Sequence, residues 1–251
     1  MFKWDLRMIQ FMKDAIEEND IYFKSLAGKV SEYLPADAHV CDAGCGLGYL
    51  STELSKYCRN VTAVDIASLA LVELRNKLNH INCNNIKIVE GDIRVNPPGI
   101  PYDAMVFCLF SSLEDALKIS KEQCRGTTVM IKRNWNNHLF SISQKALERH
   151  TLQESLEHLK MLRIPYKSEN FILEMGQPFR SMADAVEFFQ MYSNDDYPHE
   201  IKAEDIADRL VYRESDRFPY YLPALRQLGI IVVKTSDIPD NIEIIWRRNE
   251  E

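Results

Sequence analysis

Apolar positions along this chain recur with two periods, and the switches between them outline its elements. From Trp4 to Glu17 a broad stripe of Trp4, Met8, Ile9, Phe11, Met12 and Ile16 lies among charges, the signature of an amphipathic helix. A second stripe, Tyr22, Leu26, Val30 and Tyr33, predicts a helix from about Asp20, read as its N-cap, to the break before Pro35. Beyond it, short apolar runs alternate with helical stretches. The run ending at Asp42, then Val61 to Val64, Ile86 to Val89, Tyr102 to Phe107 and Thr127 to Ile131, read as buried strands. Tyr49 to Cys58, Ser68 to Asn79 and Leu113 to Ser120 read as helices between them, with Gly126 marking a turn. This alternation predicts an α/β protein with a doubly wound, mostly parallel sheet and helices on both faces.

The second half is less regular. Leu139 to about Leu162 has helical spacing until Pro165 breaks it, and Phe171 to Met175, ending at Gly176, and Gly229 to Lys234 read as strands. Between those strands, Ser181 to Tyr192 and Ile201 to Tyr212 read as helices with a turn at Asp195 to Pro198, and Ile242 to Trp246 reads as an extra edge strand. The expected organisation is a pair of N-terminal helices, 1–34, packing on or capping the core. A core follows over 35–134, and the remaining strands occupy 135–251 with a helical lid insertion around 178–225.

The densest chemistry lies between Val40 and Ser51, where the apolar run ends in Asp42 and Gly44, Gly46 and Gly48 precede a helix. Alternate glycines leave one side of the turn without Cβ atoms, so a ligand, or simply a closely packed helix, can lie against bare backbone. A dinucleotide fingerprint needs its third glycine where Tyr49 stands, and a phosphate-binding P-loop needs a lysine that does not appear before Lys56. The remaining pattern, Asp42-x-Gly44-x-Gly46-x-Gly48, resembles the first motif of the class I S-adenosylmethionine-dependent methyltransferases, and the likeness extends over roughly Val30 to Lys132.

That resemblance implies a seven-stranded sheet whose last strand pair is antiparallel, and a cofactor, S-adenosylmethionine, leaving as S-adenosylhomocysteine. It implies that the turn with Gly44, Cys45, Gly46 and Gly48 passes under the methionine part while Asp42 holds its ammonium group. Asp65, 21 residues after Gly44, is placed to accept from both ribose hydroxyls, with Ile66 flanking the adenine. Asp92 would accept from the adenine amino group, with Gly91 and Ile93 beside the ring, although an Asp next to a glycine is also an ordinary turn residue. Cys108 and Leu109, after the fourth strand, complete the expected cofactor set. Asn96-Pro97-Pro98 lies before that strand and is followed by Gly99, so it is not the nucleic-acid methylation motif it suggests.

Composition narrows the acceptor. A formal net charge of -7, with no cluster of Lys or Arg, argues against a phosphate-rich polymer, so nucleic acid is not the expected partner. Lys3, Asp5 and Arg7 interrupt any signal-peptide apolar region and no run reaches membrane-span length, so a soluble cytoplasmic protein is expected. Six cysteines form no Cys-x-x-Cys pair, the third position of a radical-enzyme cysteine spacing is Gly48, and the histidines are scattered, so no metal site is expected. Ser111, Arg133, Trp135 and His138 follow strand ends and are candidates to face a substrate, or else belong to a solvated polar loop. The expected activity is methyl transfer to a small molecule enclosed by the segment after Trp135 and the aromatic-rich insertion, which holds Phe188, Phe189, Tyr192, Tyr197, Tyr212, Phe218, Tyr220 and Tyr221. A protein or RNA methyltransferase and a non-catalytic S-adenosylmethionine-binding module are the alternatives; neither the catalytic residue nor the oligomeric state can be read from the residues.

Overall fold

In the computed structural model the apolar runs become a seven-stranded mixed sheet with helices on both faces; residues 4–95, 97–143, 150–193, 199–240 and 242 are described. Helices α1 (Leu6–Glu18) and α2 (Ile21–Ser31) come first. A regular succession follows: β1 (His39–Ala43), α3 (Tyr49–Leu54), β2 (Asn60–Asp65), α4 (Ser68–Ile81), β3 (Ile86–Glu90), β4 (Tyr102–Cys108), α5 (Leu113–Gln123) and β5 (Cys124–Arg133). Then come α6 (Leu152–Met161), β6 (Lys167–Glu174), β7 (Gln177–Phe179), α7 (Met182–Ser193), α8 (Ala203–Ile206), β8 (Val211–Tyr212), β9 (Tyr220–Leu222) and β10 (Leu225–Lys234).

The strand order is β3-β2-β1-β4-β5-β10-β6, with β10 antiparallel to both of its neighbours and the other neighbouring pairs parallel. The chain winds outward from β1 in one direction through β2 and β3, then returns to β4 and winds the other way. The connections therefore diverge between β1 and β4, which opens a crevice at their carboxyl ends. Both faces are covered, so the strands are apolar runs rather than alternations. On one face Val40, Val61, Val106, Val129, Ile131, Leu228 and Ile230 pack with Leu26, Val30, Leu50 and Leu54 of α2 and α3. On the other, Cys41, Met105, Phe107, Met130, Ile231 and Val233 pack with Ala116, Leu117 and Leu159 of α5 and α6.

Between β6 and β10 the chain builds a second small sheet, β7-β9-β8, and α7, whose Phe188 and Phe189 form a separate core with Phe11 of α1, Phe179, Ile206 and Leu222. Several sequence expectations change here. The insertion mixes strand with helix: the stretch read as a helix from Ile201 to Tyr212 is α8, a 3-10 turn at Ala207–Arg209 and then β8, because Val211 and Tyr212 find partners in Tyr221 and Tyr220. Residues 139–143 are not helical. There the His138 Nδ1 accepts from the N–H groups of Phe140 and Ser141, and Arg209 donates to the carbonyls of Leu139 and Ser141, so side chains take the backbone groups a helix would use. Gly126 lies inside β5, where a Cβ would stand 2.1 Å from the Asp103 carbonyl oxygen, at the point where pairing with β4 shifts register. Asp20 stands at the N-cap position of α2 as expected, but its backbone is already right-handed and its carboxylate bonds Lys24, so its side chain makes no capping hydrogen bond. The predicted turn at Asp195 to Pro198 and most of the predicted strand Ile242 to Trp246 lie outside the described residues.

Candidate active site

The turn after β1 is left-handed at each glycine, with φ of 72° at Gly44, 52° at Gly46 and 66° at Gly48, a backbone that L side chains resist. It is tied to the end of β2: the N–H groups of Gly44 and Cys45 donate to the Val64 carbonyl at 2.8 and 3.0 Å, and Gly46 N–H donates to Asp65 Oδ2 at 2.8 Å. The other oxygen of Asp65 accepts from Ala67 N–H at 2.8 Å, and its carbonyl accepts from Gly91 N–H at 2.9 Å. Asp65 thus joins the carboxyl ends of β1, β2 and β3 into one network. Its carboxylate oxygens keep further lone pairs for a ligand.

Asp42 is buried beneath this turn and accepts from Ser51 Oγ at 2.5 Å; burial pushes its carboxyl up to about 6, partly offset by that hydrogen bond. Asp92 follows β3 and pairs with Arg94 at 2.8 Å, which holds its carboxyl below the ordinary value. Ile66 is exposed beside Asp65, whereas the Ile93 side chain enters the core and its carbonyl accepts from Gln123 Nε2 at 2.6 Å. These acidic side chains stand at successive strand ends.

The glycines divide by what lies against them. A Cβ on Gly48 would meet Leu74 of α4 at 2.4 Å, so this glycine serves close helix packing. A Cβ on Gly44 would instead stand 2.4 Å from the Phe110 ring, and one on Gly46 2.9 Å from the Trp4 ring. Phe110 is held there by unusual backbone: Leu109 and Ser111 on either side have φ of 51° and 62°. Leu109 N–H donates to the Ile131 carbonyl at 3.0 Å, and the buried Lys132 donates from Nζ to the Ser111 carbonyl at 2.9 Å. Burial pushes the Lys132 ammonium down to about 8. Cys108, next to this loop, is a thiol raised by burial and by neighbouring Asp42.

Of the side chains expected to face a substrate, Ser111 lies in the crevice loop. Trp135 packs on the α2 face, while Arg133 lies beside Glu154, burial holding its guanidinium below the ordinary value. His138 is 5.3 Å from the Tyr192 ring of α7, centroid to centroid. Tyr22 of α2, which the sequence marks only as part of a helical stripe, and Arg226 of β10, which it does not mark, border the same face. The one sequence signal for Arg226 is alternation, which puts it in phase with the buried Leu228 and Ile230.

The family model described as "Methyltransferase domain" matches residues 40–127, the span from β1 into β5. Residues 40–127 are thus similar to a methyltransferase domain. Within a curated relative, the protein-L-isoaspartate O-methyltransferase of Bradyrhizobium sp. strain BTAi1, 66 residues align at 33% identity, covering 26% of this chain and 31% of that one. The chain thus spans about a third of that relative's length. The crystal structure of the YcgJ protein of Bacillus subtilis superposes with a TM-score of 0.56 at 15% identity, covering 85% of this chain and 98% of that one. The BH2331 protein of Bacillus halodurans C-125 gives 0.54 at 11% identity, covering 84% and 98%. At those identities the likeness is one of fold.

The geometry around the turn suits an S-adenosylmethionine-like ligand. Gly44 and Gly46 leave backbone that a Cβ would obstruct, Asp42 offers a buried acceptor, and Asp65 and Asp92 follow in order across the crevice. Phe110 and Trp4 lie on that floor and are the side chains a ligand would displace or stack upon.

Proposed function

We propose that the domain binds S-adenosylmethionine across the carboxyl ends of β1 to β4 and catalyses transfer of its methyl group to a small molecule, releasing S-adenosylhomocysteine. The observation that carries this is the placing of Asp42, Asp65 and Asp92 at three successive strand ends around the left-handed glycine turn. When bound, the cofactor supplies an electrophilic methyl group on a sulfonium, and transfer leaves the electron pair of the broken bond on sulfur. Asp42 accepts from the ammonium end, Asp65 from the ribose and Asp92 from the adenine amino group, while Ile66 covers the ring edge. Gly91 and Ile93 offer backbone there, and Cys108 and Leu109 close the far wall. Positioning and exclusion of water then carry most of the rate.

A small acceptor is supported by enclosure. Beyond the carboxyl end of β5, Trp135 and Phe140 lie beside Arg226 and Phe140 beside Tyr192, and the insertion that carries α7 is fastened to α1 by Arg7, which reaches Asp184 at 2.5 Å and Glu187 at 2.6 Å. Of the insertion's aromatics, Phe179, Phe188 and Phe189 fill its own core and Tyr192 and Tyr220 pack partly against it, so the pocket wall falls to a minority. The net charge of -7 also disfavours a polyanion. A cytoplasmic setting belongs to the same reading and is supported by six free cysteines. No helix among the described residues is long and apolar enough to cross a membrane.

The test is turnover: the protein is incubated with S-adenosylmethionine and fractionated metabolites, and S-adenosylhomocysteine is quantified. Formation with a low-molecular-mass fraction is expected. Formation only with protein or RNA would overturn the acceptor assignment.

A further inference from the structure

β10 carries a charge on a buried face. Arg226 is in phase with Leu228 and Ile230, which pack toward α2, and the start of this antiparallel strand lies at the carboxyl end of β5, where Leu228 pairs with Arg133. Asn134 N–H donates to the Gln227 carbonyl at 2.8 Å, which brings the chain after β5 alongside. The Arg226 guanidinium sits 4.5 Å from the Phe140 ring centroid and 5.5 Å from that of Trp135. Among the described residues it makes no hydrogen bond and no ion pair. The acidic group facing it, Glu174, is engaged elsewhere, its Oε1 accepting from the Tyr221 hydroxyl at 2.8 Å and from Ala224 N–H at 3.3 Å. Tyr22 and Tyr192 are its other titratable neighbours, and Tyr22 also faces Cys108.

A guanidinium has five donors and stays charged at any ordinary pH, so the half-buried Arg226 keeps donors that an incoming anion can take among apolar neighbours. We propose that Arg226 anchors a carboxylate of the methyl acceptor, and that the acceptor is a small carboxylic acid whose apolar body lies among Tyr22, Trp135, Phe140 and Tyr192. This rests on the methyl-transfer reading above. One guanidinium fork matches the charge and the two oxygens of a carboxylate. A phosphate dianion calls for a second cation, and Arg133 lies beside Glu154 instead. Cys108 on β4 is level through Ile131 with Ile230 of β10, two strand spacings or roughly 10 Å across the sheet, and Arg226 lies roughly 13 Å further along β10 beyond the carboxyl end of β5.

The experiment titrates the full chain, with and without saturating S-adenosylhomocysteine, with benzoate, benzamide and phenylphosphonate, following heat and tryptophan fluorescence. Saturable benzoate binding is expected, at least tenfold tighter than benzamide and tighter than phenylphosphonate. Arg226→Gln is expected to weaken benzoate at least tenfold while binding S-adenosylhomocysteine as the wild type does. Arg226→Lys, which keeps the charge and most of the volume but not the fork, is expected to weaken benzoate several-fold and decides the matter if the Gln variant does not fold. No saturable benzoate binding, equal binding of benzamide, tighter binding of phenylphosphonate, or benzoate affinity untouched in a folded variant overturns the proposal. Failure to bind S-adenosylhomocysteine is a separate result against the cofactor reading, and the benzoate series without it still decides Arg226.

Discussion

Burial lifts the Asp42 carboxyl from 3.8 to about 6, because desolvation outweighs the Ser51 hydrogen bond. The proton held by the folded state contributes stability that is complete below the unfolded value near 4 and is lost as pH rises through about 6. Asp42→Asn, which keeps an acceptor for Ser51, should therefore be more stable than the wild type at pH 8, by about 2 to 3 kcal/mol at most, and indistinguishable from it at pH 4. Urea unfolding at the two pH values checks this. The same ionisation should make cofactor affinity fall as pH drops below about 6. Asp65 acts differently, since its oxygens already bond Gly46 and Ala67. Asp65→Ala should weaken S-adenosylhomocysteine by roughly tenfold to a hundredfold, or about 1.5 to 3 kcal/mol, and lower the unfolding midpoint as well. The acidic positions were legible because each closes an apolar run. Arg226 was not, since a charge ahead of the apolar run of β10 carries no sign of which way the strand faces until its neighbours are known.

At the scale of elements, the first turn of α3 begins at Gly48, whose left-handed backbone and contact with Leu74 both exclude a side chain. Gly48→Ala should cost about 2 to 4 kcal/mol in urea unfolding, from backbone strain plus overpacking, whereas Gly99→Ala, with nothing within 4 Å of the added methyl, should change stability by less than about 0.5 kcal/mol. The βα succession up to β5 was readable because the strands inside the edge strand β3 are buried on both faces and the helices on one, so local pattern and tertiary role agree. The stretches 139–143 and 201–212 were misread for the opposite reason. Their spacing is helical, but Arg209 and His138 occupy the backbone of the first, and strand pairing claims the end of the second.

Across the whole molecule, the insertion and the N-terminal helix are one unit held by charge as well as by Phe11. Asp14 of α1 is buried, receives both terminal nitrogens of Arg180, and accepts from Gln10 Nε2 at 2.9 Å. Arg180→Ala strands that carboxylate and should destabilise the protein by about 2 to 4 kcal/mol, discounted for the partial exposure of Arg180, while Asp14→Asn with Arg180→Ala together should recover part of the loss. Thermal unfolding of the single and double variants separates these outcomes. The same coupling sets α1, with Trp4 just before it, against the glycine turn, so α1 touches both the insertion and that turn. The most direct measurement of the central claim is isothermal titration of the full chain with S-adenosylhomocysteine. Stoichiometric binding that is weakened tenfold or more in Asp65→Ala is the predicted result; no heat from S-adenosylhomocysteine, together with binding of a nicotinamide dinucleotide, would contradict it.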